Sequence, residues 1–509
     1  MRYWRLPALS SQAIITSVLL VSQISFAASL SISRVAGDPG TRITLVGGGF
    51  SPNEVVEVSF DSVIMLSTNA GNTGTIAQTL VVPRSTAPGE HTVEAIGQAS
   101  RSIASAVFTV QSNWAQFKNF PSRTGVNPFE NVISKDNAKF LVLAWQGLMG
   151  DLVDFSSAAV VNGVVYIGSF DGNLYAFNAN GCGQATCSPL WSGSTGNDIV
   201  NSPAVFNGTV FIGSADHKLY AFPAKGCGQP TCAPLWTGST GRGILESSPL
   251  VANGVIYVGS TDHNLYAFAA RGCGTSSCDP VWVGPTGGQI TSSPAFAQGV
   301  VYVGSEDGKL YAFAANGCGA SSCSPLWTGQ AGSSIVESGP AVANGVVYIG
   351  SFDSNLYAFD ASGCGLAACQ PLWKGKTGAF IESSPSVANG VVYVGSDDDL
   401  LYAFKASGCG SSTCQPLWRG QANGAQAAIV SAPAIANGLV YVSENNGMVM
   451  VFNANGCGSS FCLPITQLFT QNEPVVSSSP VVVNGTVYVG SGNQLQPPVG
   501  RLYVYKRSR

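Results

Sequence analysis

The chain has 509 residues, of which 45 % are apolar and only 10 % charged, with a formal net charge of −4. Such a mix excludes a disordered chain and suits many short strands joined by tight glycine turns. No basic run is present, so the electrostatic footprint that nucleic acid requires is missing and DNA and RNA are excluded as partners.

The first residues read as an export signal. Arg2 and Arg5 are followed by an apolar stretch from about Ala13 to Ile24 and by Ser25-Phe26-Ala27, a small-x-small cleavage site. Residues 1–27 are therefore expected to be a signal peptide. Ser17, Ser22 and Gln23 interrupt the stretch and weigh against the rival reading, a membrane anchor. No membrane span is expected in the mature protein, which should lie in the periplasm, outside the cell or at its surface.

Between residues 29 and 111, short runs of alternating apolar and polar residues follow one another. Examples are Arg42-Ile43-Thr44-Leu45-Val46 and Val55-Val56-Glu57-Val58-Ser59-Phe60, set apart by turns such as Pro39-Gly40 and Ser51-Pro52-Asn53. This pattern predicts a small all-β sandwich. The run from Pro39-Gly40-Thr41 through Gly49-Phe50-Ser51-Pro52 to Ala106-Val107-Phe108-Thr109-Val110 resembles immunoglobulin-like domains of the IPT/TIG type, which implies a spacer or adhesion module.

From Ser156 onward the sequence repeats with a period of about 45 residues. One unit reads Ser247-Ser248-Pro249-Leu250-Val251, then Val255-Ile256-Tyr257-Val258-Gly259-Ser260, then Leu265-Tyr266-Ala267-Phe268, and ends on Trp282. Eight such starts can be counted, from Ser156 to Ser478. Four short strands per period predict an eight-bladed β-propeller over residues 113–509. Asn-Gly recurs between the first two strands, as at Asn253-Gly254, and suits the two left-handed positions of a type I′ hairpin. At Asn207-Gly208-Thr209 and Asn484-Gly485-Thr486 it also matches a glycosylation sequon, but the turn accounts for both. The eighth unit stops after Leu502-Tyr503-Val504-Tyr505 without its tryptophan strand. Leu143-Ala144-Trp145-Gln146-Gly147, ahead of the first unit, is expected to supply it.

Repeats of the form Val-Tyr-Val-Gly-Ser-x-Asp-Gly-x-Leu-Tyr-Ala-Phe followed by Leu-Trp closely resemble the quinoprotein (PQQ-like) repeat. Trp114-Ala115-Gln116-Phe117 with Arg123-Thr124-Gly125-Val126-Asn127-Pro128 resembles that family's opening segment. The family includes dehydrogenases and cofactor-free scaffolds, so the resemblance implies the fold more strongly than any activity.

All fourteen cysteines fall into Cys-x4-Cys pairs: Cys182/Cys187, Cys227/Cys232, Cys273/Cys278, Cys318/Cys323, Cys364/Cys369, Cys409/Cys414 and Cys457/Cys462. Each pair is placed in the loop between the third and fourth strands of its unit. In an oxidising compartment these read as seven local disulfides. Zinc needs four ligands close together, which two cysteines per repeat do not supply. Tryptophan recurs on the last strand of each unit, from Trp145 to Trp418, where it is expected to pack between repeats. Asp171, Asp216, Asp262, Asp307, Asp353 and Asp397-Asp398-Asp399 recur in a turn. There they read either as turn-capping residues or as a carboxylate ring that attracts a cation. His217 and His263 follow two of them and read as turn residues.

One position varies within the otherwise regular repeat: Phe155, Val200, Glu246, Thr291, Glu337, Glu382, Val430 and Ser477. It should ring the mouth of the central channel, which makes Glu246, Glu337 and Glu382 the candidate ligand-binding residues, with solvated carboxylates as the alternative. There is no Cys-Cys dipeptide, no haem-attachment Cys-x-x-Cys-His, and no tryptophan off the regular strand positions except Trp4 and Trp114. The expectation is therefore a non-catalytic binding scaffold, with no pyrroloquinoline quinone or calcium and with a protein or glycan partner at the propeller face. The alternatives are a quinone-dependent dehydrogenase and a surface adhesion protein.

Overall fold

The computed structural model describes residues 27–422, 424, 427–470, 478–493 and 499–508. The expected signal peptide lies outside them, apart from Ala27, as does Ser477. The chain forms two compact units, the first built mainly from Thr41–Val82 and Glu90–Thr109 and the second mainly from Val110–Arg509.

The first unit is antiparallel. Ser29–Ile32, Arg42–Gly48 and Ile76–Val81 form one sheet, and Ile103–Val110, Gly89–Gly97, Val55–Phe60 and Val63–Asn69 lie in that order in another. Alternation buries one face of each, with Ile43, Leu45, Val56, Val58, Val93 and Phe108 inaccessible to solvent.

The second unit corrects the sequence expectation of an eight-bladed propeller. It is all-β, but its repeats form a solenoid of about eight turns rather than a set of self-contained four-stranded blades. The sheet topology overturns the expectation. Trp191–Ser194, the outermost strand of the first turn, is extended by the parallel two-residue strand Thr231–Cys232 from the disulfide loop of the second. The same step recurs after the second, fourth, fifth and sixth turns, so a strand of the following turn is built into each of these sheets. Sequence periodicity reports the four strands inside a period. The fifth is too short to leave any apolar pattern.

The placement of the cysteines needs a related correction. The first of each pair lies in a loop as expected, but the second does not. Cys187, Cys232, Cys278, Cys369, Cys414 and Cys462 each end one of these short parallel strands and are buried. Cys278 shows the step: it closes the strand Ser277–Cys278, stands opposite Gly238 of the preceding turn's outer strand, and is only 6 % exposed. Cys323 is buried too, although only Ser322 beside it makes a bridge, to Val283. Cysteine is small and apolar enough to be packed under a neighbouring turn, a burial that its spacing along the chain does not report.

Within a turn, hairpins pair as the repeat dictates, for example Val255–Ser260 with Asn264–Ala269 and the latter with Trp282–Pro285. Asn253, at φ +51°, and Gly254, at φ +77°, occupy the left-handed turn positions. Tryptophans lie buried between turns, as Trp191 does at 6.1 Å from Tyr166 and 6.5 Å from Phe222. Gly226 of the next loop packs so close to Trp191 that a Cβ there would stand 2.6 Å from the indole.

The eighth turn bonds back to the first. Leu141–Met149 pairs antiparallel with Val499–Arg507, placing Trp145 opposite Val504. A serine ladder joins the innermost strands: the Ser157 N–H donates to Ser202 Oγ, Ser202 N–H to Ser248 Oγ and Ser248 N–H to Ser293 Oγ. Ser479 N–H donates to Ser157 Oγ at 2.9 Å, linking last turn to first.

Candidate functional site

The lead-in segment from Trp114 to Asn127 lies across one end of the innermost strands and touches every turn in chain order. Trp114 exchanges backbone hydrogen bonds with Val160. The N–H groups of Val205, Phe296, Val342, Val387 and Ile435 donate to the carbonyls of Ala115, Pro121, Ser122, Thr124 and Gly125. Val251 N–H donates to Gln116 Oε1, and Asn127 Nδ2 donates to the Val482 carbonyl. Innermost strands have no further strand to pair with, so their N–H groups need partners from elsewhere. The segment supplies them and closes that end.

A blind pit results. Phe117 of the lead-in segment lines it, Ser248, Ser293, Ser384 and Ser479 form walls, and Phe155, Glu246, Glu337, Glu382 and Val430 complete the lining. The three candidate glutamates thus come together, with a free space of about 30 Å³ between the walls. Val200 and Thr291 of the same sequence row are buried and do not line it. Lys118 and Arg123 are buried as well and already engaged: Lys118 Nζ donates to the Pro385 carbonyl, and Arg123 donates to the carbonyls of Phe117, Pro294, Ser248 and Pro249.

The carboxyls are held out of water and near one another, and both effects disfavour ionisation. Burial, then the charges of Glu382, Glu246, Asp154 and Asp397, push Glu337 up to about 9. Burial with Asp397 and Glu246 pushes Glu382 up to about 7. Burial raises Glu246 too, with Glu306 adding to it. One oxygen each of Glu246, Glu337, Asp154 and Asp397 is buried without a hydrogen-bond partner. Glu337 also holds a left-handed backbone, φ +61°, which costs a side-chain-bearing residue about 1 kcal/mol or more.

Asp154 and Asp397 belong to this electrostatic group; Asp154 escaped the sequence reading, and Asp397 entered it only within the acidic run Asp397-Asp398-Asp399. Burial and Glu246 raise Asp154 to about 7, and burial with Asp398 and Asp399 raises Asp397 to about 6. For Asp397 the signal was present in a second variable row, the residue after the Gly-Ser of the second strand: Phe170, Ala215, Thr261, Glu306, Phe352, Asp397 and Gly492.

The other recurrent aspartates are turn fixtures. Asp171, Asp216, Asp262, Asp307, Asp353 and Asp398 each accept, at 2.5–2.6 Å, the hydroxyl of the tyrosine four residues on. Several also accept the N–H two residues on, as Asp262 does from Asn264. His217 and His263 take left-handed turn positions at φ +73° and +72°. All seven cysteine pairs are disulfides between neighbours in one turn, as Cys273 is with Cys278. Seven disulfides mark an oxidising compartment, so the protein is exported. Among the described residues no helix is long and apolar enough to cross a membrane.

Residues 275–366 and 320–502 match the family model described as outer membrane protein assembly factor BamB. Over these residues the chain carries PQQ-like repeats. The PQQ-like repeats also resemble several solved structures. BamB from Moraxella catarrhalis is 18 % identical, with a TM-score of 0.51 over 71 % of this chain and 99 % of that one. Quinohemoprotein alcohol dehydrogenase from Comamonas testosteroni is 12 % identical, with a TM-score of 0.58 over 78 % and 81 %. A europium-containing methanol dehydrogenase is 12 % identical, with a TM-score of 0.56 over 77 % and 98 %. At these identities the likeness shows the fold alone. The comparison with curated proteins returns no match.

A pH dependence of stability follows from the pit. Glu337 holds its proton far more tightly in the folded chain than in an unfolded one, where an ordinary glutamate releases it near 4.5. Between those values the folded state binds more protons, so stability falls as pH rises from about 4.5 through about 9. Glu337→Gln removes that penalty. It should raise the melting temperature at pH 8 by ~2–4 °C, for a gain of ~1 kcal/mol in a unit this size, and change it little at pH 4.5. Differential scanning calorimetry at the two pH values checks this.

Proposed function

We propose that this exported PQQ-like repeat protein is a non-catalytic binding scaffold. In this reading it takes a cationic group of a protein partner, such as a lysine ammonium, into the carboxylate-lined pit. One observation carries the reading. Glutamates at a position the repeat leaves free to vary converge from three turns on one pit, closed at its far end by the lead-in segment. An ammonium head matches the lining in charge and in hydrogen-bond donors, and it fits a space of about 30 Å³. The first unit serves in this reading as an immunoglobulin-like spacer.

The structural neighbours favour a second reading, a quinone-dependent dehydrogenase. The residues of the pit do not fit that cofactor. Pyrroloquinoline quinone carries three carboxylates, and the lining turns carboxyl groups toward them. The nearby cations, Lys118 and Arg123, are spent on backbone carbonyls. Among the described residues no tryptophan lines the pit.

Titration of the full chain with N-acetyl-lysine amide, with the norleucine analogue as the uncharged control, tests the scaffold reading. Saturable binding of the lysine compound alone is expected at pH 8. It should weaken as the pH falls to 5.5 and the carboxylates protonate, and drop about ten-fold in Glu382→Gln, for the loss of one charge-assisted contact. Stoichiometric binding of pyrroloquinoline quinone with calcium, and none of the lysine compound, would overturn the reading in favour of the dehydrogenase.

A further inference from the structure

The glutamates of the pit stand between its closed end and its rim. Val342 and Val387, whose N–H groups bond the lead-in segment, lie five residues beyond Glu337 and Glu382. Residues that precede the glutamates therefore face the open end. There one backbone contact recurs. The N–H of the residue after the second strand's Gly-Ser donates to a carbonyl of the loop that leads into the innermost strand. Thr261 donates to Gly243, Glu306 to Gln289, Phe352 to Ser334 and Asp397 to Phe380. Backbone alone makes this contact, so the repeat leaves both side chains free to vary, as it does the glutamates. The row also adjoins the pit: the charge of Glu306 acts on Glu246, and that of Asp397 on Glu382.

In the fifth and sixth turns that freedom brings two aromatic rings together. Phe352 and Phe380 stack at 4.9 Å between centroids, with their planes 4° apart. Phe352 is partly buried, and Phe380 is 49 % exposed. Among the described residues, the other stacked pairs of the repeat unit belong to its core, as Tyr266 and Phe268 do. The exposed part of Phe380 contributes nothing to stability until something covers it. Its place on the rim is defined by the chain. Phe380 precedes Glu382 by two residues, a reach of at most ~7 Å, and its carbonyl holds the N–H of Asp397 at 3.1 Å.

We propose that Phe352 and Phe380 form a shelf beside the pit for an aromatic side chain of the partner, so that the site selects a segment with a lysine and an aromatic residue two positions apart. This rests on the lysine reading of the pit. Charge and spacing together define the occupant. The carboxyl groups of Glu246, Glu337 and Glu382 take the ammonium, and the shelf next to them takes the ring. An extended segment turns side chains i and i+2 to the same face, about 7 Å apart, which matches the step from Phe380 to Glu382. A ring laid on the shelf also joins an existing stack, and aromatic pairs gain beyond the area they bury. A neutral sugar would cover the shelf but leave the carboxyls unmatched, so the charges favour a peptide.

The test is calorimetric titration of the full chain at pH 8 with three blocked peptides, Lys-Ala-Phe, Phe-Ala-Lys and Lys-Ala-Ala. At least one phenylalanine peptide should bind about ten-fold tighter than the alanine peptide. Phe380→Ser should abolish that gain and bring all three to one affinity, whereas Glu382→Gln should weaken all three and preserve it. A second readout needs no variant. With benzoylphenylalanine in place of phenylalanine, irradiation should crosslink the tighter peptide to the native chain at Phe352 or Phe380. Equal affinities in the native chain, a gain that survives in Phe380→Ser, or crosslinks elsewhere would overturn the shelf and leave the lysine reading standing. Binding of none of the peptides would overturn both. A concentration-dependent dimer that Phe380→Ser disperses would give the shelf to a second copy of this chain and overturn the proposal as well.

Discussion

Reduction of the seven disulfides is expected to lower the urea midpoint of the repeat unit more than any single core substitution, and to leave a chain that aggregates. Each bridge closes a loop with a sequence separation of 5, and so small a ring is worth ~2 kcal/mol at most through the entropy of the unfolded chain. Sites in different turns are distant enough to add, so the set reaches on the order of 10 kcal/mol, comparable with the whole stability of a typical domain. Entropy is only half of the argument. Cys187, Cys232, Cys278, Cys369, Cys414 and Cys462 each sit in the parallel strand that caps a neighbouring turn, so a slack loop also uncovers a sheet edge. The bridges should therefore differ in value. Replacing Cys182 and Cys187 by serine should cost more than replacing Cys318 and Cys323. The first pair holds the cap on Leu141–Met149, where the two ends of the repeat unit meet, while the second holds a cap on Trp282–Pro285 in the middle of the array. Urea titrations followed by tryptophan fluorescence, with and without reductant and then on the two double-serine variants, give the order. Equal midpoints before and after reduction would show that the strands hold the loops without help from sulfur.

Much of this architecture is legible in the residues because the repeat states it many times over. The hairpin turns announce themselves through Asn-Gly, the inter-turn packing through tryptophan, and the bridges through a constant cysteine spacing. The three glutamates were found by the opposite signal, variation where everything else is constant, and they do share one pit. What escaped has a physical reason in each case. The parallel caps are two residues long, so Thr231–Cys232 and Ser277–Cys278 carry no period by which to recognise them. That feature separates a continuous solenoid from the expected set of independent blades. Asp397 was read as part of an acidic turn run. Only the fold separates it from Asp398, which is bonded to Tyr402, and turns its charge on Glu382 and Glu337. The lead-in segment gave no warning that it would lie across the innermost strands, because the contacts it makes are mostly through its backbone, and backbone groups leave no trace in composition.

Arg123→Met is expected to destabilise the repeat unit by about 3–5 kcal/mol, the range for breaking a buried, fully engaged charged group. Arg123 is only 1 % exposed, and its guanidinium donates to the carbonyls of Phe117, Pro294, Ser248 and Pro249. It therefore ties the lead-in segment to the innermost strands of the third and fourth turns at once. Methionine fills much of the volume but leaves all four carbonyls without their donor in a place water reaches poorly, and each unsatisfied group costs about 1–3 kcal/mol. Arg123→Lys should recover only part of the loss, because one ammonium cannot span acceptors that a planar fork reaches together. The neighbouring charge sharpens the contrast. Burial and Arg123 hold the Lys118 ammonium well below its usual range, so removing the guanidinium relieves Lys118 even as the floor loosens. Lys118→Met should accordingly cost less than Arg123→Met, since only the Pro385 carbonyl is orphaned. Denaturation midpoints of the three variants test the order. If Arg123→Met unfolded at the native midpoint and lost only ligand binding, Arg123 would be a recognition residue and not the post that holds the closed end of the pit in place.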